Sequence, residues 1–257
     1  MIETEKDTLD FLNAVFEGNT EHVEKIAEEL ENHVDGQDPQ VTTVACSDSR
    51  VMQHEMWEDH VLGQEFTEGI IGNHVNVYTS KGEETVSGSV DYIPEHSDTE
   101  TVVAVIGHTG CGAVTATYKT LKQIEKEEGL EKAGELDESD LAEYNGETSG
   151  INTDIKLIME SGLVEDYREV SDTGSEREKI SKLVERNVDN QVETLVENTD
   201  YEDTVFIGLV YDIDGSYSGE KGRLYLVNFE GATNPKNLEK EVEKYDSINV
   251  ERLELVG

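Results

Sequence analysis

The sequence predicts an α/β fold, with a central, mostly parallel β-sheet flanked by helices. Three observations predict it. Val41–Ala45, Thr101–Gly107 and Val205–Tyr211 are unbroken β-branched and apolar runs, which is how strands buried on both faces read. Stretches with helical apolar spacing lie between them, and strands alternating with helices make parallel sheets. The length of 257 residues suits one large domain or two small ones, and is enough for a substantial core.

Taken in order, residues 5–33 read as helical, within an N-terminal arm spanning 1–34. Leu9, Leu12, Val15 and Phe16 form one stripe, Asn19-Thr20 offers a cap, and Val23, Ile26, Ala27 and Leu30 continue the spacing. Gly36-Gln37-Asp38-Pro39 ends the helix before the first strand, Val41–Ala45. Phe66–Tyr78 is a weaker strand region interrupted by Gly69 and Gly72, and 84–95 reads as a short helix ending near Pro94. Thr101–Gly107 is the clearest buried strand, and the helix Ala113–Lys126 follows it. Residues 127–150 are acidic and weakly periodic, and read as a surface insertion. Helical spacing returns over 151–169 and 176–198. Strands Val205–Tyr211 and Arg223–Phe229 meet across Asp214-Gly215, and 235–245 suggests a last helix. The whole chain, 1–257, is taken as one domain.

The chain carries 59 Asp and Glu against 20 Lys and Arg, a formal charge of −39. Such a polyanion is not expected to bind nucleic acid or an anionic membrane. No run approaches the roughly 18 apolar residues of a membrane span. The acidic start, MIETEKDTLD, does not read as a secretory signal, so a cytoplasmic location is expected. Self-repulsion on this scale is best tolerated where concentrated salt shrinks the Debye length from about 8 Å to about 3 Å. The expectation is therefore an organism that accumulates salt internally.

The two cysteines, Cys46 and Cys111, are expected as reduced thiols, and both follow predicted strands. Ligands of α/β sheets gather at the carboxyl ends of strands. In Gly107-His108-Thr109-Gly110-Cys111-Gly112 the glycines permit a tight turn, so His108 and Cys111 can face one atom. The chain between Cys46 and His108 is long enough for another strand and helix to join the two loops. Two thiolates and an imidazole suit Zn²⁺ and leave a fourth position for water. On spacing alone, two unrelated buried cysteines and a turn histidine explain the pattern equally well. Cys46-Ser47-Asp48-Ser49-Arg50 adds a carboxylate and a guanidinium, which can hold Asp48 ionised and oriented. The competing reading is a structural ion pair capping the next helix.

Cys46-x-Asp48-x-Arg50 followed by His108-x-x-Cys111, with the flanks Ala45–Val51 and Gly107–Val114, resembles the zinc signature of the β-class carbonic anhydrases. The likeness runs from about residue 5 to 232 and is poor across 120–150. It includes Ser89–Tyr92, Asn187-Val188 and Gln191-Val192. With the charge, it points to a haloarchaeal member. The resemblance implies that Cys46, His108 and Cys111 bind Zn²⁺, that Asp48 and Arg50 form the catalytic dyad, and that the reaction is reversible hydration of CO₂ to bicarbonate by zinc-bound hydroxide. It also implies a β-carbonic anhydrase-like fold and a homodimer or higher homo-oligomer, with the N-terminal arm reaching over the partner. Gln37, Phe66 and Tyr92 stand at or near the substrate-pocket positions of the open-site subtype. Thr43 stands where the bicarbonate-regulated subtype has tryptophan, which argues against that regulation. The family's Arg-Asn-x-x-Asn stretch is replaced by Gly69-Ile70-Ile71-Gly72-Asn73, without the pocket arginine.

His54 and His60 are six apart rather than four, so they do not share one helical face and read as ordinary residues. His74 lies near the pocket region and reads as a surface residue in preference to a proton relay. The competing functions are a same-fold zinc hydrolase acting on carbon disulfide or carbonyl sulfide, and a non-catalytic zinc protein closed by a fourth ligand such as Asp48.

Overall fold

The computed structural model describes residues 5–31, 34, 36–37, 39–53, 56, 63–145, 149–170 and 174–244. Its core is a five-stranded sheet of β1 (Val41–Ala45), β2 (Glu65–Gly69), β5 (Thr101–His108), β6 (Thr204–Asp212) and β7 (Arg223–Phe229) in the order β2-β1-β5-β6-β7. The first four strands run parallel, and β7 is antiparallel to β6. A separate hairpin pairs β3 (Asn76–Tyr78) with β4 (Glu84–Val86). The mostly parallel sheet flanked by helices is the one expected from the apolar runs.

The helices are α1 (Glu5–Glu31), α2 (Gly88–His96), α3 (Gly112–Glu127), α4 (Glu138–Asn145), α5 (Ser149–Ile158), α6 (Val164–Val170), α7 (Glu176–Asn198) and α8 (Pro235–Val242). The larger core joins Val44, Val103 and Val105 of the sheet to Leu121 of α3, Ile155 and Ile158 of α5, and Val184, Val188 and Val192 of α7. A smaller cluster on Ala45, Ala104, Ile106 and Leu209 is closed by Leu238 and Val242 of α8. The helix α7 lies close on the sheet because β5 and β6 carry glycines beneath it. A Cβ on Gly107 or Gly208 would stand 2.6 or 2.7 Å from a methyl of Val188.

The structure corrects several sequence expectations. Helix α1 is helical as expected, but Asn19-Thr20 does not act as a cap within it: Thr20 Oγ1 donates back to the Phe16 carbonyl at 3.1 Å and the helix continues. Residues 84–86 are strand β4, not helix, and α2 starts after Ser87, whose hydroxyl accepts from Ser89 N. That helix contains Pro94 and ends at His96. The segment 127–150 is more than a surface excursion. It holds a 3₁₀ turn (Leu130–Glu135) and α4, and buries Leu130, Ala133, Leu136 and Leu141 in the larger core. His74 is not at the surface. It is buried, with Nε2 2.9 Å from Asp154 Oδ1 and Nδ1 2.8 Å from the Asn76 carbonyl. His54 and His60 lie outside the described residues. Among those described, no helix is long and apolar enough to cross a membrane.

Candidate metal centre

The centre is built by the pairing of β1 with β5. Their parallel register sets Ala45 opposite Ile106, so Cys46, the residue after β1, comes beside Gly107-His108, the last two residues of β5. After His108 the chain turns through Gly110 (φ 69°) and enters α3 with Cys111 at its N-cap. One ligand atom each from Cys46, His108 and Cys111 lies within 4.8 Å of the others, and all three residues are buried.

The donor set fits a divalent cation. The Thr109 carbonyl, 3.2 Å from His108 Nδ1, can only accept, so Nδ1 carries the proton and Nε2 presents its lone pair. That Nε2 is buried and has no hydrogen-bond partner among the described residues. A buried, bare imidazole nitrogen is costly unless a cation takes it. The two sulfurs stand 3.9 Å apart, well beyond a disulfide's roughly 2.05 Å bond, and both cysteines are free. The hydrogen bond they share, against the opposing effect of burial, pulls the Cys46 thiol well below its ordinary value, with His108 and the Gly72 N–H assisting. The same bond, then burial, pushes Cys111 up, while the first-turn N–H groups of Val114 and Ala113 act in the opposite direction. The pair thus shares a proton that a Zn²⁺ ion would displace.

Asp48 and Arg50 stand beside this group. Arg50 Nε donates to Asp48 Oδ1 at 2.8 Å, its terminal nitrogen to Oδ2 at 2.6 Å, and its backbone N–H to Oδ1 at 3.0 Å. This fork holds the Asp48 carboxyl well below the usual carboxylate range, with burial opposing, and raises Arg50. Asp48 Oδ2 lies 3.9 Å from His108 Nε2, so the carboxylate borders the ligand cluster while both its oxygens are engaged by arginine.

Three further residues, Gln37, Phe66 and Tyr92, are expected at the substrate pocket. Gln37 is exposed in the segment before β1. Phe66 stacks on Tyr92 with ring centroids 5.8 Å apart, and Tyr92 stacks on His96 at 4.6 Å. Among the described residues, no hydrogen bond or ring contact joins Gln37, Phe66 or Tyr92 to the metal-ligand group. Thr43 is fully buried, with Oγ1 within 2.9 Å of both Gln53 Oε1 and Glu65 Oε1. Gly69, where the pocket arginine is absent, pairs with Ala45, and among the described residues a Cβ there would meet only Ser47 Oγ, at 3.6 Å. Its backbone therefore does not require glycine.

Two supports of the site come to light only in the structure. The Gly72 N–H donates to Cys46 Sγ at 3.5 Å, from a 3₁₀ turn (Ile71–Asn73) after β2. Thr109, whose carbonyl fixes the His108 tautomer, is itself fixed: Ile213 N donates to its Oγ1 at 2.9 Å, and that Oγ1 donates to buried Asp212 at 3.3 Å. Asp212 also accepts from Gly215 and Ser216 N at 2.9 Å and Tyr217 N at 3.0 Å. A backbone donor has no side-chain signature, although the Gly72-Asn73 pair within the resemblance marked the place.

The carbonic anhydrase family matches residues 41–217, more than half of the chain. No curated protein matches the chain in sequence. Among solved structures, the chain is similar to the β-carbonic anhydrase CcaA at 15% identity and a TM-score of 0.62, covering 89% of this chain and 92% of that one. It is similar to the β-carbonic anhydrase CafA of Aspergillus fumigatus at 20% identity and a TM-score of 0.61, covering 91% and 98%. A tetrameric β-carbonic anhydrase of Sordaria macrospora is 17% identical with a TM-score of 0.58, covering 85% and 97%. These likenesses show a shared fold.

Proposed function

The chain belongs to the carbonic anhydrase family, and from that membership we propose that it hydrates CO₂ reversibly to bicarbonate at a Zn²⁺ ion held by Cys46, His108 and Cys111. The observation that carries this reading is the convergence of those three ligand atoms within 4.8 Å beside an arginine-held carboxylate. Zinc bound there supplies Lewis acidity, which lets water ionise near neutral pH.

The chain's own groups divide the remaining work. His108 offers its lone pair because Thr109 holds the proton on the other ring nitrogen. Asp48 stays ionised and accepts a hydrogen bond from the attacking oxygen, orienting it. Arg50 engages both oxygens of Asp48, which would leave a position on a bound metal to water and supports an open site over the closed, non-catalytic reading. Phe66 and Tyr92 supply apolar surface for an uncharged substrate, and Gln37 a polar contact to its oxygen. The subunits associate as a homodimer or larger homo-oligomer. The tetrameric assembly of the Sordaria macrospora relative supports such a state.

The decisive experiment measures zinc content and stopped-flow CO₂ hydration together. Wild type should hold about one zinc per chain and hydrate CO₂. Asp48→Asn should keep the zinc and lose about 10²-fold or more in turnover. Undiminished turnover in that variant would remove Asp48 from the mechanism. Zinc with no CO₂ hydration, but with release of sulfide from carbon disulfide or carbonyl sulfide, would assign the other substrate class.

The charge of −39 supports a halophilic, cytoplasmic setting. Melting temperature should rise as KCl increases from about 0.1 M to about 3 M, where screening is nearly complete. A flat profile ends the halophile reading and leaves the enzyme reading intact.

A further inference from the structure

The long helix α7 reaches the metal centre without supplying a ligand. Asn187 and Gln191, one turn apart, are both fully buried. Asn187 Nδ2 donates to the Gly72 carbonyl at 2.9 Å and lies 3.4 Å from Asn73 Oδ1. Gln191 Oε1 accepts from Val75 N at 2.9 Å, while its Nε2 donates to Ser161 Oγ at 2.9 Å. Two amides therefore grip the backbone of 72–75, the segment whose first N–H points at the Cys46 sulfur.

That segment has little freedom of its own. Gly72 has φ 76°, and a Cβ on it would strike Ile158 Cδ1 at 2.5 Å and Ala113 Cβ at 3.0 Å. Asn73 also has a positive φ, 49°. The Gly72 carbonyl can only accept, so it fixes the orientation of the Asn187 amide. Asn187 Oδ1 and Asn73 Nδ2 are then buried without partners among the described residues.

We infer that Asn187 is a positioning residue for the metal centre, holding the Gly72 N–H on the Cys46 thiolate. An N–H···S⁻ bond withdraws charge from the sulfur and fixes its direction, which are the two ways an outer partner governs a metal ligand. The inference rests on the metal-centre reading above.

The test uses the full-length protein loaded with cadmium-113. In wild type, the Gly72 amide proton should show scalar coupling to the metal through the Cys46 sulfur. Asn187→Ser should lose that coupling and release the metal to a chelator about 10-fold faster or more. Leu195→Ala, a core truncation two turns along the same helix, should lower the melting temperature and change neither. A measurement on wild type covers the case in which Asn187→Ser does not fold. Coupling between two events is reciprocal, so metal loading should slow exchange of the Asn187 side-chain amide protons about 10-fold and leave those of Asn190 unchanged. Cadmium uptake without Gly72 coupling overturns the inference alone. So does unchanged release from Asn187→Ser, equal release from Leu195→Ala, or exchange at Asn187 indifferent to metal. No cadmium uptake by wild type overturns the metal centre and the positioning role together.

Discussion

Helices α1 and α7 have the same kind of apolar periodicity and opposite fates. On α7, Leu183, Val184, Val188, Val192 and Leu195 are buried, and the helix lies on β5 and β6. On α1, Leu9, Leu12, Val15, Phe16, Val23 and Leu30 are each at least 43% exposed. The two stripes differ in what the rest of the chain offers them. Glycines at 107 and 208 open a seat for α7, while α1 precedes the first strand and keeps its stripe on the outside. An apolar stripe states that a face must be covered; it does not state by which molecule.

The largest expected effect breaks the α7 half of this contrast. Val188→Asp would force a carboxylate between Gly107 and Gly208, with no room and no partner. It should cost about 4 kcal/mol or more in urea unfolding, and zinc retention should fall with it. A loss below about 1 kcal/mol would mean that α7 is not seated as described.

A smaller effect sharpens the contrast by pH. Burial pushes the Asp189 carboxyl of α7 up to about 7, and the hydrogen bond from Asn228 only partly opposes it. The folded protein then holds this proton more tightly than the unfolded chain. Stability should decline as pH rises from about 4 to about 7 and level off above that. Asp189→Asn should remove this part of the decline and gain on the order of 2 kcal/mol at about pH 8. Denaturation midpoints across that range check it, and an identical pH slope in the variant refutes it.

The smallest effect on the subunit itself belongs to α1. The pair Leu12→Asp and Phe16→Asp should change unfolding free energy of the isolated subunit by less than about 0.5 kcal/mol, because those side chains are already exposed. Sedimentation should nonetheless show a smaller assembly. Unchanged association would mean that this stripe is not what joins subunits.

The contrast also marks what the sequence could disclose. The strands β1, β5 and β6 were legible because a strand buried on both faces must be apolar throughout. The meeting of Cys46, His108 and Cys111 is legible only in part: strand ends and turn glycines allow it, two unrelated cysteines explain the spacing equally well, and the resemblance decides between them. Strand β4 is not legible, since three residues paired only to β3 leave too short a pattern, and a single hydroxyl, the Ser87 cap, separates it from α2. The contribution of 130–141 was hidden by surrounding acidic residues, although Leu130, Ala133, Leu136 and Leu141 do the burying. The burial of His74 is not legible, because its partner, Asp154, arrives from eighty residues away. The grip of Asn187 on Gly72 likewise spans 115 residues, and one end of it is a carbonyl.

The register of β1 against β5 has a kinetic consequence. Cys46 cannot meet His108 and Cys111 until the two middle strands have zipped, and that closure spans a long loop that also contains β2, the β3–β4 hairpin and α2. Distant pairings of this kind form late and set the pace of folding. A chelating dye that competes for zinc during refolding would therefore time the closing of the sheet's centre, one event along the path to the native chain, without any fluorescent label.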